Sequence, residues 1–238
     1  PMPLQTVAPQ RLYQQIADQL HTLITAGEFT AGSRLPAERD LAKQLGVSRP
    51  SVREALIALE VEGWVEVRTG SGVYVQDRST TAARGNPITV NEWGPLELIR
   101  ARRVLEGEIA SLAATMAKRK DIAAMRLALA DMVRDADAGT LPIEGDRAFH
   151  SAIVQSTGNT VLIETIHGFW DSRRGPLFER LGGYFETVAS WRSAIAEHTA
   201  ILDAIVAHDA PGARAAMHAH MDKSHTRFSA SWRRAKAS

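Results

Sequence analysis

The sequence contains no cysteine, which excludes disulfide bonds and metal sites built from thiolates. It also contains no apolar run long enough to cross a membrane and no segment with the pattern of a signal peptide, so we expect a cytoplasmic protein without a membrane partner. Hydrophobic residues make up 45% and charged residues 23% of the 238 positions, which is typical of a globular protein. A chain of this length has room for one large domain or two smaller ones.

A strong excess of one charge is also missing. The formal net charge is +1, and residues 1–78 hold 8 Lys and Arg against 9 Asp and Glu. The overall charge therefore gives no sign of binding to nucleic acid, and any such prediction must rest on where individual arginines lie. A single domain of this charge would bind DNA weakly, so a homodimer on two half-sites would supply the missing affinity.

Residues 34–75 have the pattern of two helices joined by a tight turn. Gly46 suits the turn, and Ser48 suits the N-cap of the second helix, whose apolar residues recur at steps of three and four. Arg49 and Arg53 lie one turn apart on another face of that helix. A guanidinium at this place can bind a phosphate or the O6/N7 edge of guanine, so the pattern predicts a helix-turn-helix that reads the major groove.

The segment that follows predicts a β-hairpin. In WVEVRTGSGVYV, apolar and polar residues alternate on both sides of the turn TGSG. A glycine-rich hairpin tip can approach phosphates closely because its backbone is bare. The hairpin therefore has the position and composition of a wing beside the recognition helix.

These residues carry a family resemblance. The segments YQQIADQL and GSRLPAERDLAKQLGVSRPSVREALIALEVEGWVEVRTGSGVYV closely resemble the winged helix-turn-helix of GntR-type bacterial transcription regulators. The resemblance implies a domain over residues 1–76 that binds double-stranded operator DNA, and the alternative is a small helical domain with ordinary solvated arginines. In that family the contacts come from the PAER segment, the start of the recognition helix and the wing tip. The matching positions are Arg39, Ser48, Arg49, Pro50, Arg53, Thr69 and Gly70, and Arg34 is a further candidate outside that match.

Periodicity is lost over residues 77–93, DRSTTAARGNPITVNEW, which predicts a linker. The remaining residues, 94–238, have helical periodicity throughout and no strand alternation. The predicted fold class is therefore mainly α, with an N-terminal winged helix-turn-helix that includes a small β-wing and a C-terminal all-α helical bundle. The predicted helices of the bundle are 95–118, 120–138, 143–157, 160–173, 176–187, 190–208 and 211–234.

Seven of the 8 histidines lie in this second domain. Asp146 and His150 stand four residues apart on one predicted helix, so their side chains leave the same face. His198 is followed by apolar residues at core spacing, and His220 lies between two methionines. One carboxylate and three imidazoles can bind zinc, nickel or manganese. Spacing alone leaves open the commoner alternative, in which these histidines are hydrogen-bonded core residues.

A second resemblance bears on these histidines. FHSAIVQSTGN and EHTAILDAIVAHDAPGARAAMHAHM resemble the FCD effector-binding domain of the FadR branch of the same family. Its metal-binding members carry an Asp-x-x-x-His pair and two later histidines, which match Asp146, His150, His198 and His220. The resemblance thus implies a divalent metal, with zinc as the first choice and nickel or manganese as alternatives. His218 should point away from His220, because residues two apart leave a helix in different directions.

GPLELIRARRVLEGEIASLAA resembles the first helix of that domain, and Arg102 and Glu106 are its distinctive pair. In the family such an arginine faces the ligand cavity, so the resemblance implies that the pair binds an effector. An arginine beside a metal would form a clamp for a carboxylate. The alternative is a simple ion pair on the protein surface. Arg173, Arg174, Trp170 and Trp191 could also line the cavity.

The whole chain looks closest to regulators of hexuronate catabolism. The resemblance implies a repressor that binds its operator as a homodimer and is released by a small carboxylate such as a sugar acid. Branches that respond to lactate or aromatic acids share the metal pattern, so the effector stays open.

The rival hypothesis is that the protein is an enzyme, namely a metal-dependent hydrolase that uses the Asp/His site. It would need a base beside the metal, and Glu197 is the only candidate. It precedes His198 directly, and adjacent helical residues point about a third of a turn apart. A winged helix in the same chain argues further against catalysis, so we expect no enzymatic activity. A DNA-binding scaffold without a ligand is a third alternative.

Overall fold

The structure is a computed structural model, and it describes residues 11–77 and 92–230. The chain divides into two compact units, one containing the residues up to Gly94 and one running from Pro95 to Lys236. Most of the predicted linker, residues 78–91, lies outside the described residues. Within the described part, no helix is both long and apolar enough to cross a membrane.

The first unit is a helix-turn-helix followed by a hairpin, as the sequence predicts. Gly46 ends the second helix in the left-handed conformation (φ 66°), which glycine adopts without strain. The Ser48 side chain caps the third helix by accepting a hydrogen bond from the Ser51 backbone N–H at 3.2 Å. The elements are α1 Leu12–Thr25, α2 Glu38–Leu45, α3 Arg49–Val61, β1 Val65–Arg68 and β2 Gly72–Val75.

The two strands are antiparallel, with Val65 paired to Val75 and Arg68 to Gly72. Their valines are buried, whereas Arg68 is exposed at the end of β1. The guanidinium of Arg68 lies 4.4 Å from the centre of the Tyr74 ring. This cation–π contact joins β1 to β2 just before the wing tip.

The second unit is a bundle of helices. Its elements are α4 Pro95–Met116, α5 Arg119–Asp137, α6 Ile143–Ser156, α7 Thr160–Ser172, α8 Pro176–Phe185, α9 Val188–Val206 and α10 Ala210–Phe228. The fold class predicted from the sequence is confirmed. The sequence predicts that α10 continues to residue 234, of which residues 231–234 lie outside the described residues. Residues 229 and 230 are already non-helical.

Buried apolar residues from α4, α5, α6, α7, α9 and α10 form one continuous core in this unit. Helices α4 and α10 pack so closely at Gly107 that a Cβ atom there would collide with the His218 ring. His218 therefore lies between two helices and outside the group of candidate metal ligands, as its spacing from His220 predicts. The polar residues of the site described next project into this core from α4, α6, α9 and α10.

Candidate metal centre and nucleic-acid interface

Four buried side chains of the second unit converge on one point. Asp146 and His150 project from consecutive turns of α6, His198 from α9 and His220 from α10, and one ligand atom from each lies within 4.8 Å of all the others. The Nε2 atoms of His150 and His198 are 3.2 Å apart, and Asp146 Oδ1 lies 2.9 Å from His198 Nε2. The structure thus brings together all four residues that the sequence predicts as ligands.

Each imidazole is held by a hydrogen-bond acceptor at its other nitrogen. His150 Nδ1 donates to Glu106, His198 Nδ1 donates to the carbonyl of Ala194 at 2.6 Å, and His220 Nδ1 donates to Glu197 at 2.8 Å. Carboxylate and carbonyl oxygens can only accept, so these contacts fix the proton on Nδ1 and leave Nε2 as the coordinating atom. Outer acceptors of this kind orient histidine ligands and make them more basic.

The charges around His150 favour ionised carboxylates. Burial opposes ionisation of Glu106, but Arg102 and His150 outweigh it and lower the pKa of Glu106 to about 2. Burial likewise opposes ionisation of Asp146, yet the neighbouring His150 and His198 hold its pKa well below the usual value. The pKa of His150 is raised, because Glu106 and Asp146 outweigh burial. Two carboxylates thus supply negative charge at a point that a cation would neutralise.

The pKa of His220 is shifted in the opposite direction from that of His150. Burial and the neighbouring imidazole of His198 lower the pKa of His220 to about 3, which favours the neutral ring that binds a metal. Burial opposes ionisation of Glu197, but hydrogen bonds from His220 and Arg227 lower its pKa to about 2. Glu197 Oε1 also lies 3.0 Å from Arg227 Nη1. The carboxylate that the hydrolase hypothesis needs as a base is therefore occupied in orienting His220.

Arg102 and Glu106 form a buried ion pair, so the surface alternative is wrong. Arg102 Nε donates to Glu106 Oε1 at 2.5 Å, while the other carboxylate oxygen of Glu106 accepts from His150. Arg102 Nη2 is buried and has no hydrogen-bond partner within the part of the chain that the structure describes. The two residues predicted to bind an effector thus take different positions. Glu106 holds a candidate ligand, and Arg102 keeps one donor group available.

A small space of about 30 Å³ lies beside two of the four ligands, Asp146 and His220, and we refer to it as the metal chamber. Arg102, Asp146 and His220 contribute to its wall together with Arg173 and Arg227. Arg173 Nη1 donates to Asp146 Oδ2 at 2.7 Å, which leaves Oδ1 facing the histidines. Sequence reasoning named Arg173 as a residue that could line the cavity but could not place it. It found no role for Arg227, because these contacts join residues far apart in the chain.

The predicted DNA contacts lie at the start of α3, in α2 and on the hairpin. The side chain of Arg39 is 81% exposed and that of Arg49 is 53% exposed. Gly70 is exposed at the hairpin tip, and Thr69 beside it is partly buried. Arg34 is exposed and its guanidinium lies against the backbone at Gly72. Ser48 is exposed as the N-cap, and Pro50 follows in the first helical turn.

Arg53 differs from the expectation of an exposed contact. Its side chain is only 1% exposed, and its guanidinium donates to both carboxylate oxygens of Glu38 at 2.8 and 2.9 Å. Arg49 also lies 3.5 Å from Glu38. Arg53 lies one turn further along α3 than Arg49. Its ion pair with Glu38 links α3 to α2. To contact DNA it would have to leave Glu38.

Both units match known protein families. The family described as "Bacterial regulatory proteins, gntR family" matches residues 12–75, and the "FCD domain" matches residues 97–223. The first match covers the helix-turn-helix and the hairpin. The second covers all four candidate metal ligands and the Arg102–Glu106 pair.

Similar proteins cover nearly the whole chain. The "Uxu operon transcriptional regulator" of Escherichia coli (strain K12) is 38% identical over 218 residues, which are 90% of this chain and 85% of that protein. The "Exu regulon transcriptional regulator" of the same strain is 37% identical over 225 residues, with coverage of 92% and 85%. Among solved structures, E. coli McbR/YncC is similar with a TM-score of 0.51 and 25% identity, covering 92% of this chain and 98% of that one.

Proposed function

The chain belongs to the GntR family of bacterial regulatory proteins and carries an FCD domain, and from this premise we propose that it is a repressor released by a small carboxylate that binds at a metal site. It is a DNA-binding transcription regulator of this type, and its relatives are regulators rather than enzymes. The hydrolase alternative therefore does not hold. Repression, dimerisation, the metal and the effector are the parts that we propose.

The observation that carries the proposal is the convergence of Asp146, His150, His198 and His220, each oriented by a partner of its own. Asp146 Oδ1 supports it further, because this buried oxygen forms no well-aligned hydrogen bond although it lies 2.9 Å from His198. Such a donor set fits zinc, with nickel or manganese as alternatives. When bound, the metal would supply a Lewis acid for carboxylate oxygens.

Arg102 supports a carboxylate as the effector. Its buried Nη2 group has no partner within the described residues, and Arg102 is one of the residues that line the metal chamber. A buried donor left without an acceptor costs roughly 1–3 kcal/mol, which a ligand carboxylate would offset. The names of the relatives refer to the uxu operon and the exu regulon, and the resemblance to hexuronate regulators favours a sugar acid. Lactate and aromatic acids remain the alternative effectors.

On the DNA side, we propose that a homodimer places two copies of α3 on the two halves of a palindromic operator. Arg39, Arg49 and Ser48 are exposed around the start of α3, and Gly70 is exposed at the wing tip. An effector can release DNA only by the difference in its affinity for the two states of the protein, which typically amounts to about 1–3 kcal/mol. By reciprocity, operator DNA weakens effector binding by the same factor.

The test is His198→Ala, with His167→Ala as the matched control on α7, outside the ligand group. We expect His198→Ala to lose bound metal in elemental analysis and to lose the response to galacturonate, while fluorescence anisotropy still shows operator binding. His167→Ala should keep all three properties. If His198→Ala lost the metal but bound galacturonate with wild-type affinity in calorimetry, the metal would be structural and the effector site would lie elsewhere.

A further inference from the structure

A second and larger cavity adjoins the metal chamber. Its volume is about 730 Å³, and it is bounded by α6, α7, α8 and the connection between α5 and α6. We refer to it as the outer cavity. Ligand pockets in proteins typically measure roughly 300–1,000 Å³, whereas the metal chamber at about 30 Å³ has room for only a few water molecules. The metal chamber alone is therefore too small for a six-carbon sugar acid.

Two residues in the wall of the outer cavity carry buried donors without partners. Trp170 is 2% exposed, and its Nε1 group forms no hydrogen bond within the described residues. Arg147 donates from Nη2 to Asp171 at 2.6 Å, but its Nη1 group is buried and likewise lacks an acceptor there. Buried donors are nearly always satisfied in folded proteins. Both atoms are closed to water in this structure, so a ligand in the outer cavity would accept from them only after the Trp170 or Arg147 side chain has shifted.

The remaining wall suits a ligand that both donates and accepts. Arg174 and Glu144 line it as an exposed ion pair, with Arg174 Nη2 3.3 Å from Glu144 Oε1, and Glu179 contributes a further carboxylate. Phe178 contributes an aromatic ring. A hydroxyl group is one donor and two acceptor positions at once, so a polyol can satisfy arginines and carboxylates together.

Arg173 and Glu186 line both cavities. Arg173 Nη2 donates to Glu186 Oε1 at 3.1 Å, and its Nη1 holds the metal-ligand candidate Asp146 at 2.7 Å. The same guanidinium lies 4.7 Å from the centre of the Trp170 ring. The Arg173–Glu186 ion pair is therefore the partition between the two cavities. It is also the group that a ligand passing from one cavity to the other would have to displace.

We propose that the outer cavity binds the polyhydroxylated part of the effector, while its carboxylate binds in the metal chamber after the Arg173–Glu186 pair has opened. This inference rests on the proposed function and narrows it to a sugar acid that fills both cavities. A two-carbon acid would occupy the metal chamber alone. The affinities of a long and a short carboxylate should then respond differently to changes in the outer cavity.

Gly183 offers a way to block the outer cavity without removing a contact. It lies in α8 in the wall of the cavity, and a Cβ atom built on it meets nothing within 4 Å. Gly183→Leu therefore places a side chain in open space, and leucine favours the helix more than glycine does. Gly168 in α7 also has open space at its Cβ position but lines neither cavity, so Gly168→Leu is the matched control.

The experiment uses the full-length, zinc-loaded protein and measures apparent affinity for galacturonate and for glycolate by thermal-shift titration. We expect Gly183→Leu to weaken galacturonate at least tenfold and to leave glycolate within about twofold. Arg147→Met should weaken galacturonate about tenfold with the same selectivity, because one hydrogen bond to a charged donor is lost. Gly168→Leu should bind both acids like wild type.

The possible outcomes separate this inference from the proposed function. If wild-type protein binds galacturonate and both outer-cavity variants bind it equally well, the outer cavity is not its site and the inference is wrong. Equal weakening of both acids would also overturn it, since that result indicates a general effect on the fold. If wild-type protein binds glycolate but not galacturonate, the effector is a short acid, and the inference about the outer cavity is wrong while the proposed carboxylate effector stands. If it binds neither, the proposed carboxylate effector fails and the inference fails with it.

Discussion

Glu106 should control metal affinity although it is not a ligand. One of its carboxylate oxygens accepts from His150 Nδ1 and the other accepts from Arg102 Nε at 2.5 Å, so the residue joins a buried cation to a candidate ligand. In Glu106→Gln the amide has a single oxygen. It can accept from only one of the two donors, and its NH₂ group then faces the other donor.

The size of the effect follows from these contacts. Loss of an outer carboxylate typically lowers metal affinity about 10–100-fold, which corresponds to about 1.4–2.7 kcal/mol. Removal of one partner from a buried ion pair separately costs about 3–5 kcal/mol of folding stability, and the amide should keep this near the lower value. The loss of metal affinity can be separated from the loss of folding stability, because metal affinity is measured on the folded protein.

The assay is a competition between the protein and a chromophoric chelator for zinc, with thermal unfolding recorded in parallel. Glu108→Gln is the control, because it makes the same charge change two residues along α4. There the partner is Arg214 at 2.6 Å, and both side chains are substantially exposed. A surface pair of this kind contributes about 0–1 kcal/mol. If Glu106→Gln bound zinc as tightly as Glu108→Gln, the role that we assign to the carboxylate would be refuted.

Three further predictions concern DNA binding, assembly and the first unit. Arg49→Ala should weaken operator binding by about 1–3 kcal/mol per half-site, with an unchanged circular dichroism spectrum; wild-type binding would show that α3 does not enter the groove as proposed. A fragment of residues 95–238 should sediment as a dimer, and a monomer would contradict assembly through the helical unit. Glu38→Ala should lower stability to urea by about 3–5 kcal/mol, because Arg53 loses its carboxylate, whereas exposed Asp40→Ala should change it little.

The sequence predicted the helices and strands more accurately than it predicted which charged side chains pair with one another. Helix boundaries mostly agree within a few residues because apolar periodicity, Gly46 and the Ser48 cap are local signals. The four convergent ligands were found because Asp146 and His150 share one helical face and because the family pattern supplied the two later histidines. Spacing alone had left a hydrogen-bonded core as the commoner alternative.

Partners across the bundle had no local signal. The hydrogen bond between Glu106 and His150, which lies 44 residues further along the chain, was not predicted, and the effector contact of Glu106 stays a prediction. Glu197 was the only candidate for a catalytic base, yet its carboxylate orients His220. Arg53 was placed on the exposed face with Arg49, but its guanidinium is buried against Glu38. In each case a tertiary contact between polar or charged side chains determines where the side chain lies. Apolar periodicity does not reveal such contacts, because it indicates only which face of a helix is apolar.

The close packing at Gly107 has a consequence for how this protein can vary. Gly107 directly follows Glu106 on α4, and the His218 ring that occupies its Cβ position lies two residues before His220 on α10. Any larger residue there must displace the His218 ring, and a ring that stays between the helices would press α10 away from α4 and so move His220, without a direct contact to the ligand group. A genetic screen for variants that no longer respond to the effector should therefore recover changes at this glycine alongside changes at the ligands. Compensating second mutations should arise at position 218, where a smaller side chain restores the spacing of the two helices.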